Sequence, residues 1–200
     1  MIFSTSELTS QQNYRLLNGG VTPRPIAWIS TRSADGVDNI APYSFFSVAS
    51  CQPPVLMYTQ ILPRNGKDKD TLTNLKQTGQ CIVNIVNEAL LEQANLTSAA
   101  LEAAGSEFDY ANIEVCPGTS VDVLAVKASP IRYECTLRDI ITVSEQPTGG
   151  SVVLLNVESV YVRDDLYHHD LIDQSQTQAV GKLGGDDYAI APHIVSLTRP

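Results

Sequence analysis

The amino-acid sequence predicts a mainly β domain, an antiparallel β-barrel carrying a few helices. Three observations point there. About six or seven runs carry the β-branched and aromatic residues of strands, against two or three runs of helical composition. The connections between strand runs are short, which favours antiparallel neighbours over βαβ crossovers. The 200 residues are 43% hydrophobic with no linker-like interruption, enough to bury one sizeable core. The reading is one domain over residues 1–200, with a barrel core at about 20–165 and a C-terminal extension at about 166–200.

Each element follows from local chemistry. Residues 1–20 are polar and end in a turn at Asn18-Gly19-Gly20. Pro25–Thr31 reads as a strand through Ile26, Trp28 and Ile29, and Ala34-Asp35-Gly36 supplies the turn after it. Asn39–Val48 resumes as a strand that Pro42 interrupts, because proline cannot donate to a ladder. Val55–Tyr58 is a third strand, and residues 60–68 form a polar loop with Pro63, Asn65 and Gly66. Asp70–Thr78 is a short helix with Asp70 as N-cap and Gly79 as its stop. Gln80–Val86 is a strand, and Glu88–Ala104 is helical up to Gly105. Phe108–Val126 has no clear period beyond a turn at Cys116-Pro117-Gly118. Pro130–Val143 and Ser151–Arg163 are long strand runs joined by a hairpin loop at 145–150. Val152–Leu155 is continuously apolar, which predicts a strand covered on both faces. From Asp164 the chain turns acidic and polar, then gives Gly181–Tyr188.

Charge narrows the partners. Twenty-two acids against 13 bases give a net charge of −9, so no counterion-release term favours nucleic acid, and anionic lipid surfaces repel the chain. No apolar run reaches the roughly 20 residues of a membrane span, and the N-terminus lacks a signal-peptide pattern. The four cysteines are far apart and form no CxxC, so a reduced, cytoplasmic setting is expected. In so acidic a chain, a phosphate pocket needs local cations or backbone N–H groups.

Candidate site residues cluster at the interrupted strand and the helix start. Tyr43, Ser44, Phe45, Phe46 and Ser47 offer aromatic faces, hydroxyls and backbone groups freed near Pro42; the plain alternative is a core strand whose aromatics fill space. Lys69, Asp70 and Thr71 stand at the mouth of a helix, where N–H groups and the dipole favour a phosphate; the alternative is an ordinary capped helix. Arg24, held extended between two prolines, suits a phosphate clamp or an ordinary strand start. Trp28, the only tryptophan, suits core packing, whereas Ser30 and Thr31 offer hydroxyls at the strand end. His168-His169-Asp170 matches no zinc spacing, so no metal is expected there. A GxGxxG dinucleotide fingerprint is absent from the sequence.

The ordered motifs PRPIAWIST, DG, NIAPYSFFSVAS and PP, followed by KDTLTNL at Lys69–Leu75, resemble the flavin reductase-like family of FMN-binding split β-barrel proteins, over residues 20–185 or so. That group includes NAD(P)H:flavin reductases and flavoredoxins. The resemblance implies an antiparallel Greek-key split barrel, noncovalent FMN, and a homodimer that completes the cofactor site at its seam. It implies FMN contacts from Arg24, Trp28, Ser30, Thr31, Tyr43–Ser47 and Lys69–Thr71. NADH or NADPH would visit the exposed flavin face as a transient donor, with no catalytic side chain required. Alternatives within the same barrel are a flavoredoxin-type electron carrier and a non-catalytic FMN- or haem-binding module. The family element at Gly181–Gly185 usually carries arginine where Lys182 stands, which puts a ligand contact there in doubt.

Overall fold

The computed structural model describes residues 1–63, 66–102, 105–190 and 193–198. In chain order it forms α1 (Ser10–Gly20), β1 (Arg24–Pro25), β2 (Ala27–Arg32), β3 (Asp38–Tyr43), β4 (Phe46–Cys51), β5 (Pro54–Ile61), α2 (Asp70–Thr78) and β6 (Gln80–Ile85). There follow α3 (Leu91–Leu96), α4 (Glu107–Tyr110), β7 (Val115–Pro117), β8 (Leu124–Val126), β9 (Ile131–Thr142) and β10 (Gly150–Val162). The C-terminal part adds β11 (Tyr167–His168), β12 (Leu171–Ile172), α5 (Gln174–Thr177), β13 (Val180–Lys182) and β14 (Tyr188–Ile190). No helix among the described residues is long and apolar enough to cross a membrane.

A seven-stranded antiparallel sheet runs β3-β2-β6-β9-β10-β5-β4. Its two edge strands, β3 and β4, are consecutive in the chain and joined only by Ser44 and Phe45. A link that short spans at most ~11 Å, so the sheet must curl enough to bring the end of β3 near the start of β4. No ladder joins β3 to β4 among the described residues. The Thr59 N–H of β5 donates to Phe45 O at 2.8 Å, extending the β4–β5 ladder by one residue into the break. The barrel is therefore antiparallel and split at Ser44–Phe45. The β5-to-β6 connection skips two strands in Greek-key fashion and carries α2 with it.

Alternation along β2 builds two cores. Ala27 and Ile29 face the barrel interior with Tyr43, Tyr58, Val153 and Leu155, and α2 adds Leu72 and Leu75 there. Trp28 points the other way, joining Ile40, Ala94, Phe108 and Ile113 beneath α3 and α4. The strand covered on both faces is thus β2. On β10, Val153 and Leu155 are buried but Val152 and Leu154 are only half-buried, because the helical layer packs over β2 and β3.

Other expectations are corrected in the same way. The polar N-terminus holds a helix, started by a capping box in which Thr9 and Gln12 satisfy each other's backbone N–H groups. Asn39–Val48 is two strands rather than one, since Pro42 and the curl end β3 at Tyr43. The cap of α2 is Lys69, and Asp70 is its first helical residue. The helical run from Glu88 shrinks to a single turn at Glu88–Leu90 and the short α3. Its predicted end at Ala104 and the loop residue Asn65 lie outside the described residues. The unreadable Phe108–Val126 stretch resolves into most of α4 and the β7–β8 hairpin.

That hairpin turns at Gly118, where an added Cβ would stand 2.5 Å from Val121 O and 3.0 Å from Val123 O. Both obstacles are backbone, so Gly118→Ala should lower unfolding free energy by about 2 kcal/mol in urea melts. A change under about 0.5 kcal/mol would show that the turn relaxes freely.

Candidate functional site

Three clefts converge on the split in the barrel. The middle one, about 450 Å³, lies between α1 (Gln11, Tyr14) and the Pro42–Phe45 break, with Thr59 and Lys69 on its walls. A second, about 390 Å³, shares Pro42, Pro63 and Lys69 with it and extends over the α2 N-terminus to Thr71 and Glu107. A third, about 490 Å³, shares Ser44, Phe45 and Thr59 with the middle cleft and runs toward Arg24, Phe46 and Met57. Together they form one groove along the broken strand, each part within the ~300–1,000 Å³ usual for ligand sites.

The second cleft sets Lys67 and Lys69 and the start of α2 beside three acids, Asp68, Asp70 and Glu107. No side chain caps α2, so its first N–H groups lack an intrahelical acceptor and stay available to an anion. The Lys69 ammonium stands 5.5 Å from the Tyr43 ring centroid. Surrounding protein desolvates it enough to lower its pKa, although the residue as a whole is exposed. Burial pushes the Tyr43 phenol up, a hydrogen bond with Thr71 opposes the rise, and the phenol makes a long 3.5 Å contact to Gln60 Oε1.

A buried polar network underlies this end. The Thr71 and Thr31 hydroxyls both donate to Asn39 Oδ1, at 3.0 and 3.3 Å, and Asn74 Nδ2 donates to Thr31 Oγ1 at 3.1 Å. Asn39 Nδ2 and the Ile40 N–H donate to Glu107 Oε2 at 2.8 and 3.2 Å. Burial raises the Glu107 pKa, and these bonds oppose the rise. Glu107 therefore anchors β3 to α4 just before its break, and Asn39 ties the same strand to α2 through Thr71.

The structure brings most of the sequence-predicted residues to the groove. Tyr43, Ser44, Phe45 and Lys69 line the middle cleft, and Lys69, Asp70 and Thr71 the second. Arg24, Phe46 and Ser47 line the third. Trp28, Ser30 and Thr31 lie elsewhere, each fully buried. Trp28 Nε1 donates to Thr97 Oγ1 at 2.8 Å, Ser30 Oγ to Ile82 O at 3.3 Å, and Thr31 serves the Asn39 network. Arg24 is bound mainly to its own protein: Nη1 donates to Asn18 O and Val21 O, Nη2 to Leu183 O, and Nε to Ser44 Oγ. Lys182 donates to Gly185 O and Asp187 O and covers the Tyr188 ring, so it serves its own turn. His168 and His169 sit on the exposed β11–β12 hairpin, and no three metal-ligating side chains gather among the described residues.

Sequence reasoning missed Gln11, Tyr14, Asn39, Met57 and Glu107. The capping pattern at Thr9–Gln12 was the available signal for α1 and hence for Tyr14. Nothing local marks Glu107 as a partner of a strand 67 residues away.

The flavin reductase like domain matches residues 19–180 of this chain. A protein of unstated function from Halalkalibacterium halodurans is 33% identical, covering 100% of this chain and 97% of its own length. Nitrilotriacetate monooxygenase component B from Bacillus cereus superposes with a TM-score of 0.94 at 29% identity, covering 98% of each chain. Pseudomonas fluorescens 2-nitrobenzoate 2-nitroreductase gives a TM-score of 0.90 at 31% identity, covering 100% of this chain and 96% of its own. The split barrel, the groove at its break and these matches agree: the chain belongs to the flavin reductase-like family, whose chemistry is flavin-linked oxidoreduction.

Proposed function

We propose that this protein holds FMN noncovalently and works as a cytoplasmic, homodimeric oxidoreductase fed by NADH or NADPH. The observation that carries the reading is the groove at Ser44–Phe45. An aromatic, hydroxyl-bearing middle leads into a cleft lined by Lys69 and the uncapped start of α2. A planar ring with a phosphorylated tail fits that division of chemistry: apolar walls for the ring, N–H groups and an ammonium for the phosphate. Bound flavin supplies the hydride and electron chemistry, so the chain need only bind, orient and shield it. This agrees with the scarcity of acid–base groups in the middle cleft. Exposed Ile141, Val143, Val160 and Tyr161 on the long β9–β10 hairpin offer apolar surface to a second copy.

The test is the visible spectrum of protein titrated with FMN, then mixed with NADH or NADPH under argon in a stopped-flow instrument. Binding at micromolar FMN and rapid bleaching are expected. A preparation that binds no FMN ends the reading. FMN binding with no bleaching by either nucleotide, but ready reduction by ferredoxin, makes the protein a carrier instead. Light scattering should give twice the chain mass.

A further inference from the structure

We propose that the cleft beside Arg24 is a second ligand site, taking a small aromatic carboxylate next to the middle cleft, where the flavin would be held. The proposal rests on the flavin reading only for what occupies the middle cleft. The third cleft meets that cleft at Ser44, Phe45 and Thr59, so a molecule seated in one adjoins a molecule seated in the other. Its walls are flat or apolar: Phe45, Phe46, Pro25, Met57 and, from α1, Leu17 and Val21. Leu17 and Val21 are 64% and 63% exposed, an apolar rim that the protein itself leaves uncovered. Phenyl, prolyl and thioether surfaces favour a ring over a flexible polar chain.

Charge selects the acid. Among the described residues Arg24 is the only ionisable one lining this cleft, and it is 6% exposed. Its four hydrogen bonds all run to neutral oxygens, and among the described residues no carboxylate pairs with it. The ion pairs present instead engage Arg32, Lys76, Lys127 and Arg163. Dipoles solvate a buried guanidinium, but they do not neutralise it. Lys182, paired across the strands with Arg24, adds like charge nearby, though Asp186 and Asp187 act on that lysine in turn. A guanidinium has five N–H donors, and four are spent here, leaving one on Nη2. Because Ser44 Oγ accepts from Arg24 Nε, its own hydrogen is free to donate. The cleft thus offers a guanidinium that has no carboxylate partner, held 5.8 Å from the Phe45 ring centroid, and a free hydroxyl beside ring-shaped apolar walls. In a chain of net charge −9, a positive apolar cleft is a local exception that an aromatic anion fits and a polyanion or an aliphatic chain does not.

The test uses benzoate and its neutral isostere benzamide as probes, titrated calorimetrically into FMN-loaded and FMN-free protein. Two variants accompany the wild type: Met57→Trp, which fills the cleft, and Leu17→Glu, an exposed change that sets a like charge at its rim. Benzoate should bind at least tenfold tighter than benzamide. Met57→Trp should weaken benzoate about tenfold and Leu17→Glu about fivefold, with FMN affinity within twofold of wild type in both. Binding of benzoate to loaded protein should also shift the visible flavin band, since the two rings adjoin. Equal affinity for the two probes, indifference to both variants, or no benzoate binding because a second copy covers the cleft would each overturn the proposal. Failure of FMN to bind while benzoate keeps its charge preference and its dependence on Leu17 would refute the flavin reading and leave this site standing.

Discussion

Lys69→Glu weakens FMN binding by about 30-fold. The substitution removes one attraction to the phosphate and adds one repulsion, each about 1 kcal/mol in a partly exposed site, and about 2 kcal/mol corresponds to that factor. The α2 N–H groups remain, so binding is reduced rather than abolished. Lys69→Met should fall between, because it keeps the stem over Tyr43 and loses only the charge. Raising salt toward 1 M, where the screening length is about 3 Å, should shrink the difference between wild type and Lys69→Glu. Flavin fluorescence titrations at two ionic strengths measure both effects. Ser47→Ala, at the rim of the third cleft, should change FMN affinity less than threefold. Equal affinities for wild type and Lys69→Glu would place the phosphate away from α2.

Glu134→Ala lowers the unfolding free energy by about 3 kcal/mol at neutral pH. Glu134 lies on β9, and its carboxylate fills a nest of successive backbone N–H groups from Thr119, Ser120 and Val121. The Thr119 hydroxyl donates to it as well, at 2.9 Å. Alanine would leave those donors without their charged acceptor, a loss of about 1–3 kcal/mol for each group that water does not reach. The same geometry sets a pH dependence. Burial alone would raise the Glu134 pKa, but the bonds from Thr119, Ser120 and Val121 outweigh it, and the net shift is downward. A carboxyl with a folded pKa below its unfolded value contributes stability above the ordinary carboxylate range, about pH 4.3, and loses it as pH falls through the folded pKa. Urea melts at pH 7 and pH 4 should therefore show the gap between wild type and Glu134→Ala narrowing in acid. Glu134→Gln should recover part of the loss, since its amide oxygen still accepts. A gap that widens in acid would contradict the assignment.

Both predictions concern residues whose legibility differed sharply. The expectation for Lys69 joined a local pattern, a lysine before Asp70 and Thr71 ahead of a helix that Gly79 ends in the left-handed region at φ 71°, to the family resemblance; the pattern alone fits an ordinary capped helix. Ser44 and Phe45 were readable as an interruption, since Pro42 removes a donor wherever it stands. Glu134 was not, because it looks like any polar residue in a strand run until the β7–β8 hairpin brings three N–H groups to it. Arg24 was legible as a presented cation but not as one tied to Leu183 across 159 residues of chain. Trp28 was legible as a core residue and is buried beneath α3 and α4, whereas Thr31, expected to offer its hydroxyl at the strand end, is buried in the Asn39 network beside α2.

Backbone preference and side-chain period therefore decided the strands, the turn at Gly36, the α2 helix and the location of the strand break. These depend on neighbours a few residues apart, which the chain displays directly. The approach of the β3 end to the β4 start, the joining of three clefts at Ser44–Phe45, and the network in which Thr31 and Thr71 share Asn39 while only Thr71 reaches a cleft wall needed the folded molecule. They arise from contacts such as Asn39 with Glu107, 68 residues apart, and chain closure over such distances leaves no trace in either segment alone.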